Sequence, residues 1–117
     1  MTLKLKDPSL LKTQSYIDGQ WVDADGGETV AVTNPATGEV VAAVAKCGTS
    51  ETRRMIKAAE AAQKSWAKTT VKERAALLRS WFNLIMEHQE DLAQILTAEQ
   101  GKPLAEARGE VAYGANY

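Results

Sequence analysis

The hydrophobic pattern of this chain changes period at Thr49, and that change restricts the folds open to it. Before Thr49, short β-branched and aromatic runs alternate with turn residues. Tyr16-Ile17 and Gln20-Trp21-Val22 flank Asp18-Gly19, a hairpin signal. Asp23-Ala24-Asp25-Gly26-Gly27 reads as a second turn, and Thr29 to Thr33 as a strand. That strand stops at Asn34-Pro35-Ala36-Thr37-Gly38, because proline has no N–H for a ladder and biases its predecessor toward extended backbone. Val40 to Val44 supplies one more strand. Strands this few and short do not make an independent sheet and need something packed on them. Residues 1–14 read as a polar lead-in with two anchors, Leu10 and Leu11, and structure is expected from about Ser15.

After Thr49 the period is helical. Thr49 or Ser50 is placed to cap a first helix whose Met55, Ala59, Ala62 and Trp66 form one apolar stripe. Thr70-Val71-Lys72-Glu73 is a capping box that opens a second. Ala75, Leu77, Leu78, Trp81, Phe82, Leu84 and Ile85 cover more than one face of it, which predicts burial between neighbours. The phase slips at Glu87-His88-Gln89, and Leu92, Ile95 and Leu96 restart it as a shorter third helix. Gly101 ends that helix and Pro103 opens the fourth. The fourth runs through Val111, Tyr113 and Tyr117 without a cap, so the chain reads as part of a longer polypeptide cut in its last helix. The fold class is α+β in this segment: short antiparallel strands, then about four helices. Trp21, Trp66 and Trp81 read as core.

The 14 basic and 15 acidic residues are mixed along the 117, giving a formal charge of -1 and no basic face for nucleic acid. One cysteine, Cys47, excludes an internal disulfide. The N-terminus lacks the apolar run of a secretory signal, and no apolar stretch approaches the roughly 20 residues that span a bilayer. A cytoplasmic protein with no nucleic-acid or membrane partner is expected.

YIDGQWVDADGGETVAVTNPATGEVVAAV followed by helices and EQGKP resembles the N-terminal segment of the aldehyde dehydrogenase superfamily, over nearly the whole chain. WFNLIMEHQEDLAQILTAEQGKPLAEARGEVAY is most similar to bacterial succinate-semialdehyde dehydrogenases. The resemblance implies that residues 15–117 are the N-terminal portion of a cofactor-binding domain within a larger α/β aldehyde dehydrogenase fold. It implies NAD or NADP as cofactor, a small aldehyde as substrate, succinate semialdehyde giving succinate, and a homodimer or homotetramer. In that chemistry a cysteine thiolate attacks the aldehyde, hydride passes to the nicotinamide, and a glutamate-assisted water hydrolyses the thioester. The family's nucleophile, base, oxyanion-hole asparagine and glycine motif all lie beyond residue 117, so no catalytic or cofactor-binding residue is placed on this chain, and alone it is expected to be inactive. A noncatalytic helical interaction module, binding another protein through its Leu, Trp and Tyr surface, is the competing reading.

Individual residues sort accordingly. Cys47, in AKCGTS, lacks the family's Gly-Gln-x-Cys context and any matched base, which makes it structural. His88 has no ligand partners at helical or strand spacing and reads as a helix-end residue. By resemblance, Glu99 and the backbone carbonyl of Thr33 contribute to a monovalent-cation site; for Glu99 an ordinary solvated carboxylate stays open, since several relatives carry Asp there. Also by resemblance, Tyr113 lines the substrate tunnel, with a core tyrosine as the alternative. No Gly-x-Gly-x-x-Gly sits between a strand and a helix.

Overall fold

The computed structural model describes residues 3–117. Ser15–Ile17 (β1) and Gln20–Val22 (β2) pair antiparallel, with Ile17 opposite Gln20. The two residues between them, Asp18 and Gly19, both have positive φ, 51° and 78°. Successive left-handed residues are what a tight hairpin turn needs to match strand twist, and the Asp-Gly pair supplies them. Thr29–Thr33 (β3) and Val40–Ala45 (β4) form a separate antiparallel pair. Its register shifts between Val32, opposite Ala42, and Thr33, opposite Val40. The β3–β4 turn is held by Asn34, whose N–H donates to the Glu39 carbonyl and whose carbonyl accepts from the Gly38 N–H, both at 2.8 Å. The Asn34 side chain accepts from the Ala36 N–H at 2.9 Å, the local bond for which asparagine is favoured in turns.

Four helices follow: Thr49–Trp66 (α1), Val71–Glu87 (α2), Gln89–Gln100 (α3) and Leu104–Ala115 (α4). The cap of α1 is Gly48, not Thr49 or Ser50. The Glu51 carboxylate explains the difference: it reaches back to accept the Gly48 N–H at 2.9 Å, so a residue without a side chain is capped from inside the helix. At α2 the predicted box is present, the Glu73 N–H donating to the Thr70 hydroxyl at 3.2 Å and the Thr70 N–H to the Glu73 carboxylate at 2.7 Å. Helix α3 starts three residues before Leu92, because Glu90 and Asp91 fill its first turn, where the helix dipole favours negative charge. Gly101 ends α3 with φ 87°. A Cβ there would lie 2.8 Å from Cγ of Pro35, so conformation and close approach both require glycine. Helix α3 packs on α4 and on β3, and α2 packs on α4. Ala93 and Ala107 are fully buried.

Three expectations are corrected. The lead-in is structured: Pro8–Leu10 is a 3-10 helix capped by Asp7, and the Lys6 and Asp7 N–H groups donate to Asp91. Asp7-Pro8 is a local start signal for that turn, whereas nothing in residues 1–14 signalled the bonds to Asp91, more than eighty residues away. Helix α2 is not buried between neighbours within this chain; Leu77, Leu78, Trp81 and Leu84 all face outward, Trp81 being 63% exposed. Trp21 and Trp66 are exposed as well, so none of the three tryptophans belongs to a core here. The apolar pattern was read correctly as period but assigned to an interior that these residues do not build. The accessible surface is 8532 Å², against about 6,200 Å² for a compact monomer of this mass. The radius of gyration is 16.6 Å, against about 13 Å for a compact domain of this length.

Candidate functional site

Two places carry the residues singled out above. The first is where the end of β3 meets the end of α3. Thr33 closes β3 at the register shift, and Glu99 stands in the last turn of α3; both are exposed. The contact between Gly101 and Pro35 sets the loop that follows Thr33 against the end of the helix that carries Glu99. Beside them a cavity of about 540 Å³ is bounded by Asn34, Val40 and Val41 from the strand side and Gln94, Thr97 and Leu104 from the helices. The Thr97 hydroxyl is buried without a hydrogen-bond partner among the described residues. No cluster of three or more histidine, cysteine or acidic side chains that could hold a metal occurs among the described residues. One carboxylate and one carbonyl are oxygen donors of the kind a hard cation takes, but fewer than its coordination sphere needs.

The second place is the outer end of α4. Tyr113 is 66% exposed within this chain. Its ring lies edge-on to that of Tyr117 with centroids 5.1 Å apart, and the Tyr117 hydroxyl donates to the Tyr113 hydroxyl. That bond to Tyr113 holds the proton on Tyr117 and raises its pKa above the usual phenol value. Helix α4 is oriented by polar contacts to α3. Arg108 bonds both Glu90 oxygens, at 2.7 and 3.0 Å, and its carbonyl accepts from the Gln89 side-chain amide at 2.9 Å. A two-pronged guanidinium–carboxylate pair fixes rotation as well as distance. Lys102 pairs with Glu110 along the start of α4. Between α2 and α4 runs a groove lined by Trp81, Leu84, Ile85, Val111 and Ala115.

Cys47 and His88 fall where their structural readings put them. The Cys47 thiol donates to the Ser15 hydroxyl at 3.3 Å and is half-buried, one residue before the α1 cap. His88 is the single residue between α2 and α3: its N–H donates to the Leu84 carbonyl at 3.1 Å and its carbonyl accepts from Leu92 at 3.0 Å.

Sequence reasoning missed a polar network. Glu51, 4% exposed, accepts from the N–H groups of Asp25 at 2.7 Å and Gly48 at 2.9 Å, and from the Ser50 hydroxyl. These bonds, the Asp25 N–H first, pull its pKa from 4.5 to about 2. Asp25 in turn is bonded by both terminal nitrogens of Arg54 at 2.7 Å and by Ser50, and the guanidinium is the main reason its pKa also falls to about 2. No local motif announces bonds that span 26 to 29 residues.

What the arrangement offers is two prepared surfaces with ordered frames. Residues 21–117 match the model of the aldehyde dehydrogenase family. The chain belongs to that family. Across 115 residues it is 57% identical to glutarate-semialdehyde dehydrogenase of Pseudomonas putida, a match that covers 98% of this chain and 24% of that protein. It is 53% identical to the NADP(+) succinate-semialdehyde dehydrogenase of Escherichia coli, with the same coverage of each. Among solved structures, succinate-semialdehyde dehydrogenase from Burkholderia pseudomallei superposes with a TM-score of 0.93 at 56% identity, over 96% of this chain and 23% of that one. The chain thus spans about a quarter of the length of the curated relatives it matches. Its strand pairs and four helices are part of the aldehyde dehydrogenase fold.

Proposed function

We infer that this chain serves as the N-terminal portion of an NAD(P)-dependent aldehyde dehydrogenase acting on a short semialdehyde. Succinate semialdehyde, oxidised to succinate, is the substrate first expected from the sequence. Glutarate semialdehyde is the same chemistry one methylene longer, and the name of the Pseudomonas putida relative supports including it. What carries the reading is the unbroken likeness to semialdehyde dehydrogenases through both strand pairs and all four helices. The cofactor, NAD or NADP, supplies the hydride acceptor. Among the described residues none fits as its holder, since the junction from β4 to α1, Ala45 to Thr49, offers a single glycine and no phosphate loop.

The residues of this chain position and line. Tyr113 presents a ring and hydroxyl to the aldehyde's route, oriented through the Arg108–Glu90 pair. Thr33 and Glu99 contribute a carbonyl and a carboxylate to a monovalent-cation site that other segments complete. The parent enzyme is cytoplasmic and works as a homodimer or homotetramer; no helix among the described residues is long and apolar enough to cross a membrane. Residues 15–117 continue into the remainder of a cofactor-binding domain.

The test is to follow formation of reduced nicotinamide by the longer polypeptide with succinate semialdehyde, glutarate semialdehyde and an uncharged aldehyde of similar length. Both semialdehydes should be oxidised in preference to the uncharged one. Absence of turnover with either semialdehyde overturns the substrate reading. Replacing Tyr113 with Ala should raise KM more than it lowers kcat, and Glu99→Gln should remove any dependence of the rate on monovalent salt.

A further inference from the structure

Residues 3–14 run from the strand half of the molecule to the helical half, and two anchor points of very different kinds hold them. At one end the Thr13 carbonyl accepts the Ala45 N–H at 2.7 Å, backbone to backbone, extending β4. At the other, the N–H groups of Lys6 and Asp7 donate to the two oxygens of Asp91, at 3.0 and 2.9 Å. Asp91 is only 2% exposed and sits in the first turn of α3, 85 residues from Lys6. Between the anchors, Asp7 accepts from the Ser9 N–H at 2.9 Å to start the 3-10 helix. Leu10 then reaches the α2–α4 groove beside Trp81 and Leu84. Before the anchors, Leu3 and Lys4 border the cavity between β4 and α3.

Every polar group at the Asp91 anchor has a second satisfied state. If residues 3–12 lift away, water reaches the carboxylate and both amides, and nothing is left buried and unpaired. The apolar contact given up is that of Leu3, Leu5, Leu10 and Leu11, each half-buried. A terminal segment held on the helical side by one carboxylate and a few half-buried leucines, with no strand or α-helix of its own, is the kind that opens by itself below the global unfolding limit.

We propose that residues 3–14 form a strap latched by Asp91, whose opening is a discrete local step that takes Leu10 off the edge of the α2–α4 groove and Leu3 off the strand–α3 cavity while all four helices stay formed. The latch has two positions, closed on Asp91 or hydrated, and the β4 anchor at Thr13 keeps the strap tethered in both.

Amide hydrogen exchange on the 117-residue chain tests this without any substitution. The Lys6 and Asp7 amides should exchange about tenfold or more slowly than in an unfolded chain, yet faster than the interior of α3. Asp91→Ala should abolish that protection and speed tryptic cleavage after Lys12 by about tenfold, with helix content and α2 protection unchanged. Asp91→Asn, which keeps one acceptor oxygen, should fall between the two. Glu90→Gln, which breaks the neighbouring pair with Arg108, should leave strap protection as it is. Unprotected Lys6 and Asp7 amides in the unmodified chain overturn the proposal. So does an Asp91→Ala chain that keeps their protection, or one that loses strap and helices together.

Discussion

The corner where the β2–β3 turn meets α1 and the outer face of α2 solve opposite problems. At the corner, Asp25, Glu51, Ser50 and Arg54 leave no carboxylate unpaired, and every bond is made within the chain. Along α2, Leu77, Leu78, Trp81 and Leu84 lie uncovered. The difference follows from how each kind of group is penalised. A polar group shut away from water without a partner costs free energy wherever it sits, so it must be satisfied as soon as it is enclosed. An apolar side chain in water loses only the gain that burial would bring, and that gain can come later from another surface. A contiguous apolar patch on an otherwise ordered helix marks a face made for contact.

Trp81 gives the sharpest way to break this comparison. In the 117-residue chain Trp81→Ala should change stability by no more than about 0.5 kcal/mol, as for a side chain already in water. In the longer polypeptide the same change should cost about 3 kcal/mol or more, the range for removing an aromatic from a packed interior. Urea unfolding of both proteins measures the pair of values. Equal losses in the two would mean that α2 gains no cover from the rest of the polypeptide, and the contrast with the corner would disappear.

Gly101→Ala probes a junction where both kinds of requirement coincide. The left-handed backbone alone makes the change cost about 1–2 kcal/mol, and the new Cβ meets Pro35 as well. Gln100→Ala, one residue earlier and within the helix, loses only an exposed bond accepted from the Lys102 N–H and should cost no more than about 0.5 kcal/mol in the same urea titration. If Gly101→Ala were equally neutral, the meeting of the β3–β4 loop with α3 would be loose, and the frame around Thr33 and Glu99 with it.

Gly101 also marks what could be read in the letters alone. Where structure is decided within a few residues, the chemistry of those residues announces it. Asp18-Gly19 specified a two-residue turn, Thr70 and Glu73 a helix start, and Gly101 a helix stop. The strand and helix periods were likewise local. The bonds of Glu51 to Asp25 and of Asp91 to Lys6 and Asp7 join distant segments through ordinary acidic residues, and no spacing distinguishes those acids from solvated ones. The tryptophans misled for a related reason. Hydrophobic period shows which face of an element seeks cover, but not whether the cover lies in the same stretch of chain. For the candidate site the residues alone offered little, since Thr33, Glu99 and Tyr113 are unremarkable letters that only the family resemblance singles out.

Acid should loosen the corner before it touches the apolar face. Glu51 and Asp25 have ordinary pKa values of 4.5 and 3.8 and folded values of about 2. Between those limits the unfolded chain binds more protons than the folded one, so stability falls as pH drops through this window and is fully present above about pH 5. Thermal melts from pH 6 to pH 2 should show the decline, and Glu51→Gln should flatten it, since the amide keeps an acceptor oxygen but has no charge to lose. A decline that is unchanged in Glu51→Gln would move the acid sensitivity off Glu51, to Asp25 within the corner or to Asp91 and the Glu90–Arg108 pair outside it.

The smallest effect belongs to the most local device. Thr70 caps α2 through its own hydroxyl and touches neither the corner nor the uncovered face. Thr70→Ala should therefore cost about 1 kcal/mol, in the 117-residue chain and in the longer polypeptide alike, because the bond lost lies wholly within one turn. Thr70→Ser keeps the hydroxyl and should restore most of it. The contrast with Trp81 is the point of the measurement: a cap is worth the same whoever its neighbours are, whereas an apolar side chain is worth only what covers it. A Thr70→Ala cost that grew severalfold in the longer protein would show that the α2 start is also a contact surface, and the division between groups satisfied at once and groups held for later would have to be redrawn there.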